Sequence, residues 1–317
     1  MKDNNIMQYK NALTPNEQQI KEFTEGDIDT PIYMVNLLKF KEKAEYEDKR
    51  KTDLSGEEAY AIYGMEVIEH LKKVGGKTIF SGVDWVWDPL KNLSSILKAL
   101  TQNKTGTNLS DGVCLDKNEK GLFIQKWIKL DQAVYLKEQD IFIGSGTRLE
   151  PSAIIKGPAV IGENCDIRQG AYIRGNIFAG EGCVIGHSTE VKNSILMDHS
   201  EVGHFNYVGD SILGRHVNMG AGSRLANLQF RNKVDKEKGF IPPIQIPFGS
   251  EDFKTDMEKL GAILGDHTEL GCNAVLCPGT LIGKGSWVYP NLMVPKGYYQ
   301  PATVLIPKDR KPRIIKK

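Results

Sequence analysis

The sequence predicts a mainly β protein, a left-handed parallel β-helix built on a hexapeptide repeat, with a small N-terminal α+β appendage. Two observations carry the prediction. Every sixth residue from Ile143 to Met197 is aliphatic: Ile143, Leu149, Ile155, Ile161, Ile167, Ile173, Ala179, Ile185, Val191 and Met197. A second run of sixes passes through Leu264, Leu270, Leu276, Ile282, Val288 and Val294. Neither a helix nor an ordinary strand has this period. It fits three short strands per coil, each turning one aliphatic side chain inward, with coils stacked about 4.8 Å apart.

Residues 1–84 do not share the repeat. The segment 31–40 (PIYMVNLLKF) reads as a buried strand. Ser55 begins a helix, with Glu58 completing a capping box. Tyr60, Tyr63, Val67, Leu71 and Val74 form its apolar face, and Gly75-Gly76 ends it. Residues 77–81 read as a second strand. The strand Val35-Asn36-Leu37-Leu38-Lys39-Phe40, with Glu58-Ala59-Tyr60, Tyr63-Gly64 and Gly75-Gly76, resembles the first half of a family of small, uncharacterised ferredoxin-like bacterial domains. Half of such a domain leaves apolar surface uncovered, so it must pack on the rest of the chain or on a partner.

Residues 85–140 lead into the solenoid. A short amphipathic helix is predicted over 88–100, with Asp88 at its N-cap and Pro89 in its first turn. A polar linker follows over 101–120, then a strand over 122–130. The solenoid domain spans 141–300. At 18 residues per coil its two runs make about seven coils. Between the runs the phase slips: Leu213, Met219 and Leu225 resume the period out of step with Gly203 and Gly209. The slip is read at 203–207, where it would aim a side chain outward. Residues 228–262, with Pro242, Pro243 and Pro247, form an inserted loop. Its length makes it a candidate to close over a groove. Residues 301–317 form a basic tail.

Composition narrows the function. The chain has 317 residues and a formal net charge of +1, so no global field selects nucleic acid or an anionic membrane. No apolar run reaches the roughly 18 residues of a membrane span, and the N-terminus is polar rather than signal-like. Cys114, Cys165, Cys183, Cys272 and Cys277 lack C-x-x-C spacing and read as free thiols of a reducing cytoplasm.

The segment around the slip carries the chemistry. Gly203-His204-Phe205-Asn206-Tyr207-Val208-Gly209-Asp210, followed by Asn218-Met219-Gly220-Ala221-Gly222, resembles the acetyltransferase domain of the bifunctional UDP-N-acetylglucosamine diphosphorylase/glucosamine-1-phosphate N-acetyltransferase family. It is closer still to that family's archaeal relatives that acetylate amino-sugar 1-phosphates. The resemblance covers roughly 88–300. It implies an acyl-CoA-dependent N-acetyltransferase, with acetyl-CoA as donor, an amino-sugar phosphate such as glucosamine 1-phosphate as acceptor, and a homotrimer whose active site lies between subunits. By position it implies that His204 is the general base, a task that suits a neutral imidazole. Asn227 matches an amide that orients the reacting groups. Arg174 and Lys192 match cations on the substrate's phosphates, Tyr207 a substrate-binding hydroxyl, and Asn218 a sugar-binding amide. Lys233 and Lys236 match cations near the substrate or coenzyme. Ala221, Cys272 and Pro290 match the coenzyme slot. The sequence departs from the family at Asn227-Leu228-Gln229-Phe230, where Asn-Tyr-Asp-Gly is usual. It departs also at Gly175-Asn176, Cys272 and Pro290.

Two motifs are set aside. Gly144-Ser145-Gly146-Thr147-Arg148-Leu149-Glu150-Pro151 looks like a nucleotidyltransferase phosphate loop, yet it lies in phase with the hexapeptides and has no α/β sheet to house it. Uridylyltransferase activity is therefore not expected. His199 and His204 resemble two zinc ligands of trimeric β-helix carbonic anhydrases, which leaves a zinc hydratase as one alternative. No metal site is otherwise expected. The other alternative is a non-catalytic trimeric β-helix scaffold or regulatory module.

Overall fold

The computed structural model describes residues 85–101, 104, 106, 113–116, 121–248 and 251–308. The appendage expected over 1–84 and most of the basic tail lie outside the described residues. Two short helices come first, α1 (Asp88–Lys91) and α2 (Leu93–Thr101). The helix expected over 88–100 is thus divided at Asn92, which caps α1 in a non-helical conformation.

Three nine-stranded sheets then form the walls of a β-solenoid, and the chain visits them in turn. Sheet 1 contains Ile141–Ile143, Ala159–Ile161, Ile177–Ala179, Ser194–Leu196, Ile212–Leu213 and Ala262–Leu264. Sheet 2 contains Val184–His187, Glu201–His204, Asn218–Met219, Glu269–Leu270 and Trp287–Val288. Sheet 3 contains Tyr172–Ile173, Glu190–Lys192, Tyr207–Gly209, Arg224–Leu225 and Val275–Leu276. At the N-terminal end the first strands pair antiparallel, as in Val134–Leu136 on Ile141–Ile143 and Gly121–Ile124 on Ile154–Lys156, and so close the open edge. The final pairing, Trp287↔Val304 and Val288↔Leu305, carries the coils past 300.

The core is a stack of the repeat's own residues. Ile143, Leu149, Ile155, Ile161, Ile167, Ile173, Ala179, Ile185 and Val191 are all fully buried. Burying one such aliphatic side chain contributes about 1.5–3 kcal/mol, which compensates strands too short to stand alone.

The phase slip is real, but it does not lie at 203–207. After Val191 the next inward residue is Leu196, which pairs with Ala179, and Met197 points out of the core. Val208 is followed in the same way by Leu213. Each shortening falls at the corner from sheet 3 to sheet 1, where Asn193 and Asp210 adopt positive φ of 43° and 49°. The corner holding His204 has ordinary length, and His187↔His204 are in register. His204 is therefore not thrown outward by an irregular coil. It occupies a regular outward corner position.

The outer face of sheet 1 is apolar too. Phe142, Val160, Ile195 and Ile263 are covered by Trp87, Leu90, Leu93 and Leu97 of the helical segment and by Ile244, Ile246, Met257 and Leu260 of the insertion. Within that insertion lie α3 (Lys233–Glu237) and an antiparallel hairpin, Gln245–Phe248 with Glu251–Lys254. The part from Ile244 to Leu260 is thus fixed cover for sheet 1. Leu228, Phe230, Val234 and Phe240, in the first part, are exposed.

Three histidines form a column at the corner from sheet 1 to sheet 2. His199, His216 and His267 stack with ring centroids 5.0 Å apart in each step. Burial first, then the charges of His199, His267 and Arg215, pull the His216 imidazole below its ordinary value against the opposing Asp266. The unfolded chain then binds a proton that the folded chain resists, so stability rises with pH across this titration. The penalty begins as the pH falls below the unfolded value of about 6.5 and levels off once His216 protonates in the fold. Melting temperature should drop between about pH 7 and pH 5, and His216→Asn should flatten that slope, since Asn occupies the same kind of positive-φ corner at Asn164 and Asn273. An equal slope in the variant would dissociate the column from acid sensitivity.

Candidate functional site

The corner from sheet 2 to sheet 3 collects four of the residues singled out in the sequence. In successive coils the same position is held by His204, Ala221, Cys272 and Pro290, as the registers Tyr207↔Arg224, Arg224↔Val275 and Val275↔Met293 require. The spacing of about 4.8 Å between hydrogen-bonded coils makes this a column about 14 Å long from His204 to Pro290. His204, Cys272 and Pro290 are exposed and Ala221 is half-buried. The backbone at Gly220 and Gly271 passes so close to the next coil that a Cβ there would meet the main chain of Cys272 or Pro290. The coils are therefore tightly stacked along this column.

The His204 corner is braced from inside by Asn206, a buried residue the sequence reading did not select. The Asn206 Oδ1 accepts the His204 N–H at 3.0 Å, while its Nδ2 donates to the Gly220 carbonyl at 2.8 Å and to Ser223 Oγ at 3.0 Å. The Thr189 hydroxyl accepts the Asn206 N–H at 3.2 Å. A buried, fully bonded amide of this kind fixes the backbone on which the imidazole rides. The Phe205 ring stands edge-on to His187 at 5.3 Å.

Sheet 3 supplies the adjoining face. Tyr172, Glu190, Tyr207 and Arg224 lie in one outward register row. Arg174 donates to Glu190 at 2.5 Å, and Lys192 pairs with Asp210 at 3.5 Å. Asn227 is buried and donates through Nδ2 to Asp210 Oδ2 at 2.5 Å. Burial first, then the nearby Glu190 and Asp210, raises the Tyr207 phenol above its ordinary value against the opposing effect of the neighbouring Asn227 amide. The Tyr207 hydroxyl so keeps its proton near neutral pH. Arg174, Lys192 and Tyr207 are thus on sheet 3 with Asn227 at its far corner, and Tyr207 begins this face three residues after His204.

The remaining residues are elsewhere. Asn218 is exposed on sheet 2 and donates to Glu269 at 2.9 Å. Lys233 and Lys236 are on α3 of the insertion, where Lys233 pairs with Glu237 at 3.8 Å. His199 belongs to the stacked column on a different corner from His204. Among the described residues no group of three or more His, Cys, Asp or Glu is placed to hold a metal ion. The Gly144–Pro151 motif is a coil corner plus the strand Arg148–Leu149. No described helix is long and apolar enough to cross a membrane. Sequence reasoning gave no role to Glu190 or Asn206, and it used Asp210 only as part of the motif that carries the resemblance; for Asp210 the available signal is the Asx residue recurring at one corner, Asn193, Asp210 and Asn227.

Gly209 makes room for the pair at the centre of this face. A Cβ on Gly209 would lie 2.6 Å from the Tyr207 hydroxyl and 2.7 Å from Asn227 Nδ2. Gly209→Ala should cost about 1–3 kcal/mol in urea unfolding, as overpacking does. An unchanged midpoint would mean the two side chains part freely.

Comparison with known proteins finds similarity to one family model and to several bifunctional enzymes. The family model described as the GMPPB C-terminal domain matches residues 155–241. The Bifunctional protein GlmU of Methanococcus aeolicus is 39% identical over 103 residues, 32% of this chain and 23% of that protein. The Bifunctional sugar-1-phosphate nucleotidylyltransferase/acetyltransferase of Sulfurisphaera tokodaii is 36% identical over 104 residues, 33% of this chain and 24% of that protein. The Bifunctional protein GlmU of Methanococcus vannielii is 27% identical over 286 residues, 86% of this chain and 58% of that protein. The chain spans less than two thirds of each of these relatives.

Proposed function

Because the coils fit the hexapeptide-repeat acetyltransferase domain of the GlmU family, we propose that the chain is an acyl-CoA-dependent N-acetyltransferase acting on an amino-sugar phosphate such as glucosamine 1-phosphate. One observation carries the reading: His204 shares a corner column with Ala221, Cys272 and Pro290 and borders the face that holds Arg174, Lys192 and Tyr207. A donor thioester arm along Ala221, Cys272 and Pro290 would bring its carbonyl to the amine at that border.

In this proposal the exposed His204 imidazole takes the proton as the amine attacks the thioester. The transfer is direct, with no acyl-enzyme. The oxyanion of the tetrahedral intermediate takes a hydrogen bond from Asn227 or from a coil N–H. Arg174 and Lys192 meet the phosphate. Their existing pairs with Glu190 and Asp210 hold both long side chains in place over sheet 3 and lower the ordering entropy of binding. Asn218 and the α3 residues Lys233 and Lys236 reach the substrate from across a subunit boundary, in a cytoplasmic homotrimer. The part of the insertion up to Phe240 supplies apolar cover for that boundary.

His204→Ala should abolish nearly all acetyl transfer while leaving the unfolding midpoint unchanged, as followed by release of coenzyme A thiol with glucosamine 1-phosphate as acceptor. Retained turnover would remove the imidazole from the mechanism. The paired cations favour a second reading, a non-catalytic trimeric scaffold, and ligand binding separates the two. Acetyl-CoA at about 100 times its Kd should stabilise the fold by about 2.7 kcal/mol, because it binds only the native state. A melting temperature that acetyl-CoA does not move would favour the scaffold.

A further inference from the structure

Three side-chain donors converge on one buried carboxylate, Asp210, to which the sequence motif assigns no role. Asn193 Nδ2 donates to Asp210 Oδ1 at 2.8 Å, Asn227 Nδ2 donates to Asp210 Oδ2 at 2.5 Å, and Lys192 Nζ lies 3.5 Å from the same Oδ2. The Asp210 main chain is engaged as well. It donates to the Lys192 carbonyl at 3.1 Å and accepts the Gly261 N–H at 2.8 Å. Gly261 is where the chain re-enters the solenoid, and Asn227 is where it leaves. The Leu260 N–H closes the gap by donating to the Asn227 carbonyl at 3.1 Å.

We propose that Asp210 is the positioning residue of this site: its carboxylate holds Asn227 and Lys192 in place, and with its main-chain bond to Gly261 it ties that arrangement to both feet of the insertion. The inference rests on the acetyltransferase reading and deepens it. Asp210 is buried beneath the face, so it acts through Asn227 and Lys192 and does not itself touch substrate. An amide in its place would put a donor against one of the two asparagine donors. It would also remove the charge opposite Lys192. The corner would otherwise be kept, because Asn193 holds the same position one coil earlier with φ of 43° against 49° at Asp210.

The test is a double-mutant cycle in the full chain with Asp210→Asn, Asn227→Ala and both together. It is read as kcat and KM for acetyl-CoA and glucosamine 1-phosphate. A residue acting through another shows losses that do not multiply. Asp210→Asn should lower kcat about 10-fold or more, since small displacements of positioned groups have large effects. KM for acetyl-CoA should stay within about 2-fold, because the coenzyme column is on a different corner. Adding Asn227→Ala should then cost less than about 3-fold more. A kcat within about 2-fold of wild type, or losses that multiply, would overturn the proposal. Should Asp210→Asn not fold, Lys192→Gln with Asn227→Ala carries the same cycle, since both partners depend on one carboxylate. If wild type transfers no acetyl group to any amino-sugar phosphate, the functional reading fails. The same cycle is then read by urea unfolding, where non-additive losses sustain the positioning role and additive losses sink it.

Discussion

Each coil must return to the same three inward positions, and everything else in the molecule depends on that register. Strands of two to four residues have no independent stability. They persist because each is hydrogen-bonded to the coil above and the coil below and turns one aliphatic side chain into a shared stack. In-register stacking has a consequence for chemistry. A residue's neighbours are fixed by its place on the coil, so functional groups are laid out along the axis as columns instead of gathered in a pocket. His204, Ala221, Cys272 and Pro290 form one such column, and Asn193, Asp210 and Asn227 form another.

The register was legible in the sequence where only one side of a strand is buried, and it failed where both sides are. Ile195, Leu196 and Met197 are all apolar, so a count of six from Val191 reaches Met197 as plausibly as a count of five reaches Leu196. The structure turns Leu196 inward because Ile195 and Met197 are needed on the other face, under the cover of the helical segment and the insertion. A strand buried on both faces loses the alternation that distinguishes inside from outside. The same ambiguity hid the second shortening, between Val208 and Leu213. The slip was noticed from its downstream effect and assigned to the nearest glycine. The corner glycine Gly203 is in fact regular.

For the candidate site the balance is different. The Gly-His-x-x-Tyr-x-Gly-Asp pattern pointed to His204 and Tyr207, and the structure puts them on adjoining surfaces, with the coenzyme-slot residues in line below His204. The resemblance makes Asn227 an amide that orients the reacting groups; the structure bonds it to Asp210, one coil away, a contact that only the stacking of coils reveals. Asn206 was hidden for a related reason. Its bonds run inward to Thr189, Gly220 and Ser223, which come together only when coils stack. Resemblance identifies side chains that face outward, whereas the inward side chains that hold them follow from coil geometry.

The insertion shows how such a solenoid takes on extra chain without losing register. Leu225 pairs with Leu276, and Leu213 with Leu264, as closely as any neighbours in the stack, although the chain between them makes a long excursion. Loop closure grows costly only slowly with length, so what matters is that the feet be fixed. They are fixed at one corner, by Leu260 on the Asn227 carbonyl and Gly261 on the Asp210 carbonyl. The excursion then contributes to stability by burying Ile244, Ile246, Met257 and Leu260 against sheet 1. The bonds that anchor the insertion use the main-chain carbonyls of Asn227 and Asp210, and the bond that arranges the sheet 3 face joins the side chains of the same two residues. A change in either is therefore felt in the other through this pair.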